Sequence, residues 1–199
     1  MRLFGKNYQV ETDEGLMQWV AKGDAKAFEV LYDRYSKRML NYFYRMLWQD
    51  KEKAADFMQD LFTKILSKPE RFDPQRSFST WLYSVANNMC KNEYEKQAVR
   101  KGKGVVEAAA RLPDNEAAMP EKLDWKSFRE VLDREIDKLD EKHRTAFVLR
   151  YREERPIKEI SVLCNCSEGT VKSRLFYALK KLTPKLLAFQ NLKSISYHE

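Results

Sequence analysis

Between Ser167 and Leu182 the chain reads SEGTVKSRLFYALKKL. Set on a helix at about 100° per residue, Lys172, Ser173, Phe176, Tyr177 and Lys180 fall on one side, with Arg174 near its border. Val171, Leu175, Ala178, Leu179 and Leu182 fall on the other, ready to pack against Ile157, Ile160 and Leu163 of a short preceding helix. Ammonium and guanidinium groups contact phosphates and guanine edges, a hydroxyl donates or accepts, and an aromatic edge meets a thymine methyl. That chemistry suits the second helix of a helix-turn-helix lying in a DNA groove. A merely solvated basic face fits less well, because exposed rings such as Phe176 and Tyr177 carry a solubility cost.

Two further clusters sit upstream. Thr80 to Tyr94, TWLYSVANNMCKNEY, gathers Asn87, Asn88 and Asn92 in a helix that they weaken. Amides read base edges or a flipped-out base, and Trp81, two turns before Asn88, is suited to stacking. Those residues fit a core tryptophan with solvated asparagines equally well. In DFMQDLF, Asp56 to Phe62, the side chains of Asp56, Gln59 and Asp60 share a polar face beside an apolar stripe. Such a face suits docking of a basic helical partner and suits plain solvation no less.

Covalent chemistry finds no support. No paired carboxylates or metal cluster stand beside the basic face, so the chain reads as a non-enzyme without cofactor or metal. Cys164 and Cys166 form a C-x-C pair in the turn, Cys90 stands apart, and His143 and His198 have no metal spacing. An odd set of thiols without a framework points to small, mostly buried cysteines in a reducing cytoplasm.

The elements that must position these groups are helices. Of 199 residues 43% are hydrophobic, only 6 are Gly and 6 Pro, and apolar residues recur every three or four positions, so the fold class is all-α. A net charge of +7 favours a polyanionic partner. No apolar run approaches a membrane span, and the N-terminus, MRLFGKNYQVETDEG, lacks the apolar core of a secretory signal.

A front block from about Leu16 to Tyr94 carries three helices: one striped by Phe28, Leu31, Tyr32, Tyr35, Met39, Tyr42, Phe43 and Met46, one by Phe57, Met58, Leu61, Phe62, Ile65 and Leu66. Pro69 and Asp73-Pro74 then break the chain, and Ser79 is placed to cap a third helix bearing Leu82, Val85, Ala86 and Met89. Residues 97–121, basic at first and then rich in Ala, Pro and acidic groups, read as a mobile linker. A rear block from about Lys122 holds Trp125, Phe128, Val131, Leu132, Ile136 and Leu139 on one helix and Ala146, Phe147, Leu149 and Arg150 on the next. Pro156 stands at the first turn of the helix-turn-helix, Ser167 at the N-cap of the last helix, and Pro184 near its end as a potential bend.

The order DxxQDxF, a Pro-containing loop, SFSTWLYSVANN, a linker and SEGTVKSRL resembles the sigma-70 family, most of all its extracytoplasmic function group with two conserved domains. The resemblance covers about Leu16 to Tyr94 and Leu123 to Leu187. It implies two helical domains, residues 1–96 and 122–199, joined by a flexible linker that threads toward the RNA exit channel, and a bacterial transcription initiation factor that brings core RNA polymerase to promoters. By similarity, Asp56, Gln59 and Asp60 dock on the coiled coil of the largest polymerase subunit. Asn88 sits at the pocket for a flipped non-template base of the minus-ten element, with Arg76, Ser77 and Phe78 as the pocket loop and Trp81, Lys91 and Asn92 nearby. Lys172, Ser173, Arg174, Phe176, Tyr177 and Lys180 read the duplex minus-thirty-five element while the rear domain rests on the polymerase flap.

The resemblance also implies a cytoplasmic protein, nucleoid-associated on polymerase, and adds an anti-sigma protein as a candidate partner, with no membrane contact of its own. Many relatives place Gly and an aromatic residue where Glu154, Arg155 and Pro156 stand, and Arg where Tyr177 stands. Those departures leave open whether a recruiting DNA-bound protein helps to place it on promoters. The alternative class, a freestanding helix-turn-helix regulator, gives no reason for the Asp56-Gln59-Asp60 face or the Trp81 and Asn88 helix.

Overall fold

The computed structural model describes residues 7–103 and 125–195, and among them every regular element is helical. Helix α1, Asp13–Val20, starts at Thr12, whose hydroxyl oxygen accepts from the Gly15 N–H at 3.0 Å. Asp24 caps α2, Ala25–Met46, through the N–H groups of Lys26 and Ala27. Asp50 does the same for α3, Lys51–Ser67, through Lys53. Each cap supplies an acceptor to an N–H with no partner inside its helix. A 3-10 turn at Pro69–Arg71 then leads to α4, Phe78–Lys103.

The front block therefore has four helices, because Gly23 (φ 85°) and the Asp24 cap separate a short α1 from α2. The cap of α4 is Ser77, whose Oγ accepts from Thr80 N–H at 3.3 Å. Ser79, the cap expected from sequence, instead accepts from the Arg155 guanidinium at 2.5 Å. Helix α4 also continues to Lys103, into the segment read as linker; residues 104–121 of that segment lie outside the described residues. The long stripes of α2 and α3 form the core with Phe72, Phe78, Leu82, Tyr83, Ala86 and Cys90, all buried. Leu66 departs from its stripe and is 52% exposed.

The rear block comprises α5, Trp125–Asp137, α6, Glu141–Phe147, a π-helical turn over Val148–Arg152, α7, Ile157–Leu163, and α8, Glu168–Ile195. Asp140 caps α6 through His143 N–H. Pro156 precedes α7 in an extended conformation (φ −68°, ψ 151°), where its missing N–H costs nothing. Helix α8 runs through Pro184 rather than stopping near it.

The two blocks meet along a polar seam. Glu153, buried, accepts from the Tyr83 hydroxyl at 2.5 Å and from Arg45 at 3.1 Å. Arg155, also buried, lies 4.2 Å above the Tyr83 ring. Thr80 donates to Glu159 at 2.8 Å and the Asn87 amide donates to the Leu163 carbonyl at 3.3 Å. Farther along, Arg144 donates to the carbonyls of Asp137, Leu139 and Met46 and lies over the rings of Trp48 and Tyr94.

Candidate nucleic-acid interface

Helix α8 and its partner α7 form the expected helix-turn-helix. The turn is closed by Cys164 N–H to Ile160 O, Asn165 N–H to Val162 O and Cys166 N–H to Ser161 O. Asn165 takes φ 47°, a left-handed conformation that asparagine tolerates better than most residues. Ser167 Oγ then accepts from Thr170 N–H at 3.1 Å and starts α8. Val171, Leu175, Ala178 and Leu182 are buried beside Ile160 and Leu163. Leu179, assigned from sequence to that inner face, is 38% exposed at its edge.

Lys172, Ser173, Phe176, Tyr177 and Lys180 are all exposed, with Phe176 at 62% and Tyr177 at 49%, and Arg174 is half-buried at the border. The Tyr177 ring lies 5.5 Å from that of Phe176 and 5.9 Å from that of His143, so the two phenyl planes stand together on the outside. Cys164 and Cys166 are half-buried and unpaired, and burial pushes the Cys164 thiol up to about 11. The Cys164 thiol is therefore a poor nucleophile at neutral pH. Among the described residues no group of three or more His, Cys, Asp or Glu side chains could hold a metal.

On α4 the geometry sorts the amides. Asn88, Lys91 and Asn92 are exposed, and Ser77 and half-buried Trp81 precede them at spacings that keep one helix face. The strip from Ser77 to Asn92 spans about 22 Å at about 1.5 Å per residue. Asn87 points elsewhere, into the seam, where its amide bonds Leu163 O and its carbonyl oxygen lies 3.5 Å from the Tyr42 hydroxyl. Within the expected pocket loop, Arg76 and Ser77 are exposed but Phe78 is not: it is 0% exposed. Its ring packs against Tyr35, Phe72 and Trp81 at 5.4, 5.6 and 5.9 Å, so burial of a large apolar ring overrides the expected surface role.

Helix α3 presents Asp56, Gln59 and Asp60 to solvent, opposite the buried Met58, Leu61, Phe62 and Ile65. Exposed Leu66 follows Gln59 by seven residues and therefore shares its face. Exposed Tyr32 stands 4.8 Å from the Phe62 ring. Exposed Leu66 thus borders the polar side chains of α3. The seam residues Glu153 and Arg155 and the loop contact of Glu14 described below carried no signal in the sequence, since their partners are remote along the chain.

A Sigma-70 region 2 family model matches residues 31–100, and a Sigma-70, region 4 model matches residues 129–182. The chain is 31% identical over 182 residues to the ECF RNA polymerase sigma-E factor of Escherichia coli (strain K12), spanning 88% of this chain and 94% of that protein. The chain belongs to the sigma-70 family, in its extracytoplasmic function group. The sigma-E factor of Haemophilus influenzae is 30% identical over 183 residues, 88% of this sigma factor and 95% of that protein. In fold, this sigma factor is similar to CnrH in complex with the cytosolic domain of CnrY (TM-score 0.65, 23% identity, 89% and 99% of the two chains). It is also similar to the sigma factor RpoE in complex with the anti-sigma factor NepR from Bartonella quintana (TM-score 0.61, 21% identity, 86% and 99%). Sigma factors bind core RNA polymerase and promoter DNA, and this one directs polymerase to promoters. No helix among the described residues is long and apolar enough to cross a membrane.

Proposed function

We propose that this sigma factor opens and reads the minus-ten element as single strand along α4 and reads the minus-thirty-five element as duplex with α8. The observation that carries the reading is the sorting of α4: Ser77, Trp81, Asn88, Lys91 and Asn92 share one outward face, while Asn87 is used inside the protein. A melted strand exposes base edges and faces, which amides and an aromatic edge recognise without a groove. Lys91 and Arg76 supply charge for the backbone of that strand. Phe78 holds the loop from beneath and makes no DNA contact in this role. The duplex element needs a groove helix, and Lys172, Ser173, Arg174, Phe176, Tyr177 and Lys180 are presented on one.

Asp56, Gln59 and Asp60, with Leu66 alongside, form the face for the coiled coil of the largest polymerase subunit. The flap receives the rear block, and an anti-sigma protein is a further partner, supported by the structural relative RpoE in its complex with the anti-sigma factor NepR. Reconstituted holoenzyme tests the assignment. Asn88→Ala is expected to lower promoter opening, read by permanganate reactivity, about tenfold or more, with core binding intact. Asp60→Lys is expected to weaken core binding first. Wild-type opening by Asn88→Ala would remove the minus-ten assignment.

A further inference from the structure

The loop between α3 and α4 is exposed from Asp73 to Ser77 and pinned at both ends by buried rings, Phe72 and Phe78. Its inner shape is local: Asp73 Oδ1 accepts from Gln75 N–H at 3.0 Å, Asp73 O accepts from Arg76 N–H at 3.0 Å, and the Asp73 carboxylate lies 3.4 Å from Arg76 Nε. Its attachment to α4 is not local. Phe78 N–H, at the first turn of α4, donates to Glu14 Oε1 of α1 at 2.8 Å. Helix geometry offers that N–H no partner of its own, and Phe78 is shut off from water, so without Glu14 the donor would be left unpaired. Asp13, the residue before Glu14, accepts from the Tyr35 hydroxyl, and the Tyr35 ring packs edge-on against Phe78. Two successive carboxylates of α1 thus hold the aromatic cluster on which the loop is seated.

We propose that Glu14 is a positioning residue for minus-ten recognition. Its carboxylate fixes the backbone at Phe78 and thereby sets where Arg76, Ser77 and Trp81 meet the melted strand. The proposal rests on the single-strand reading of α4 given above. It separates holding the loop from building the domain: with Glu14 shortened, Phe72, Phe78 and Tyr35 stay packed, but the loop loses its fixed orientation relative to Asn88. The Arg76–Asp73 pair is exposed and weak, so it does not replace that anchor.

The test uses holoenzyme made with bacterial core polymerase. Labelled single-stranded oligonucleotides carry the non-template minus-ten sequence of a promoter that this sigma factor transcribes, and the same sequence with single bases changed. The readout is the affinity ratio between the two, alongside core affinity and melting temperature. Glu14→Asp keeps the charge at the start of α1 but falls short of Phe78 N–H; it is expected to lower the ratio about tenfold, the value of one buried hydrogen bond to a charged group. Core affinity should stay within about twofold. Glu14→Gln keeps an accepting oxygen and is expected to retain the ratio.

Asn88→Ala run in parallel reports on the underlying reading. If Asn88→Ala loses discrimination and Glu14→Asp does not, the role of Glu14 is overturned. Loss of melting temperature in Glu14→Asp with discrimination intact overturns it as well. If Glu14→Gln fails as Glu14→Asp does, the accepting oxygen is not what matters and the proposal falls. If neither Asn88→Ala nor Glu14→Asp alters discrimination, the single-strand reading itself has failed.

Discussion

At Glu153 a buried carboxylate takes the Tyr83 hydroxyl on one oxygen and the Arg45 guanidinium on the other. Removing it leaves a phenol and a half-exposed cation facing space that water reaches poorly. Glu153→Ala is therefore expected to lower unfolding free energy by about 2 kcal/mol, measured by urea denaturation; a loss under about 0.5 kcal/mol would place the pair at the level of an exposed one. The phenols of this region also respond to alkali. Burial pushes Tyr83 up, and the neighbouring Glu153 adds to it; burial and Asp13 push Tyr35 up to about 12. Because folding raises both values, their contribution is complete below the ordinary phenol value of 10 and is lost as pH rises through the folded values. Tyrosinate absorbance should show a delayed set of phenols that appears only as the protein unfolds. A single titration with no delayed set would contradict the packing of Tyr35 and Tyr83.

Among the elements, the junction into α7 stores strain. Glu154 takes φ 56°, a left-handed conformation that costs a side chain with a Cβ about 1 kcal/mol. Glu154→Gly is expected to raise stability by about that amount, read as a higher urea midpoint at unchanged slope; a lower midpoint would show that the side chain contributes something the backbone does not. The neighbouring helices divide by how local their causes are. Helix α8, its Ser167 cap and its exposed Lys172, Phe176 and Tyr177 were legible because amphipathic spacing and a capping hydroxyl act within a few residues. The exposure of Asp56, Gln59, Asp60 and Asn88 was legible for the same reason. The burial of Phe78 escapes the sequence because its neighbours come from α2, the residue after the 3-10 turn and α4 together. The Glu14 contact spans 64 residues, Tyr83 to Glu153 spans 70 and Ser79 to Arg155 spans 76, and no periodicity in the sequence records such pairings. Ser77 caps α4, while Ser79 lies inside its first turn and accepts from Arg155.

For the molecule as a whole, the seam sets a distance. Asn87 and Leu163 touch at 3.3 Å, and Lys172 follows Leu163 by nine residues. A chain extends at most about 3.5 Å per residue, so Lys172 lies within about 40 Å of α4. Minus-ten and minus-thirty-five elements are separated by about 25 base pairs, which is about 85 Å of duplex. On the proposed reading, the seam must part for both elements to be held at once. Energy transfer between dyes at Glu95→Cys and Thr183→Cys, with Cys164 and Cys166 replaced by Ser, is expected to be high in the free protein and to fall on binding core polymerase. Unchanged transfer in a transcribing complex would show that the closed arrangement persists and that one of the two element assignments is wrong.

What lies along that seam decides how cleanly it can part. Hydroxyls of Thr80 and Tyr83, the Asn87 amide, the Glu153 and Glu159 carboxylates and the Arg45 and Arg155 guanidinium groups become wettable patches once separated. Water takes over each bond that is surrendered, which lowers the cost of parting. A joint fastened by such groups can be undone and remade repeatedly, and its partly exposed Arg45 and Glu159 ends are the ones that rising salt loosens first.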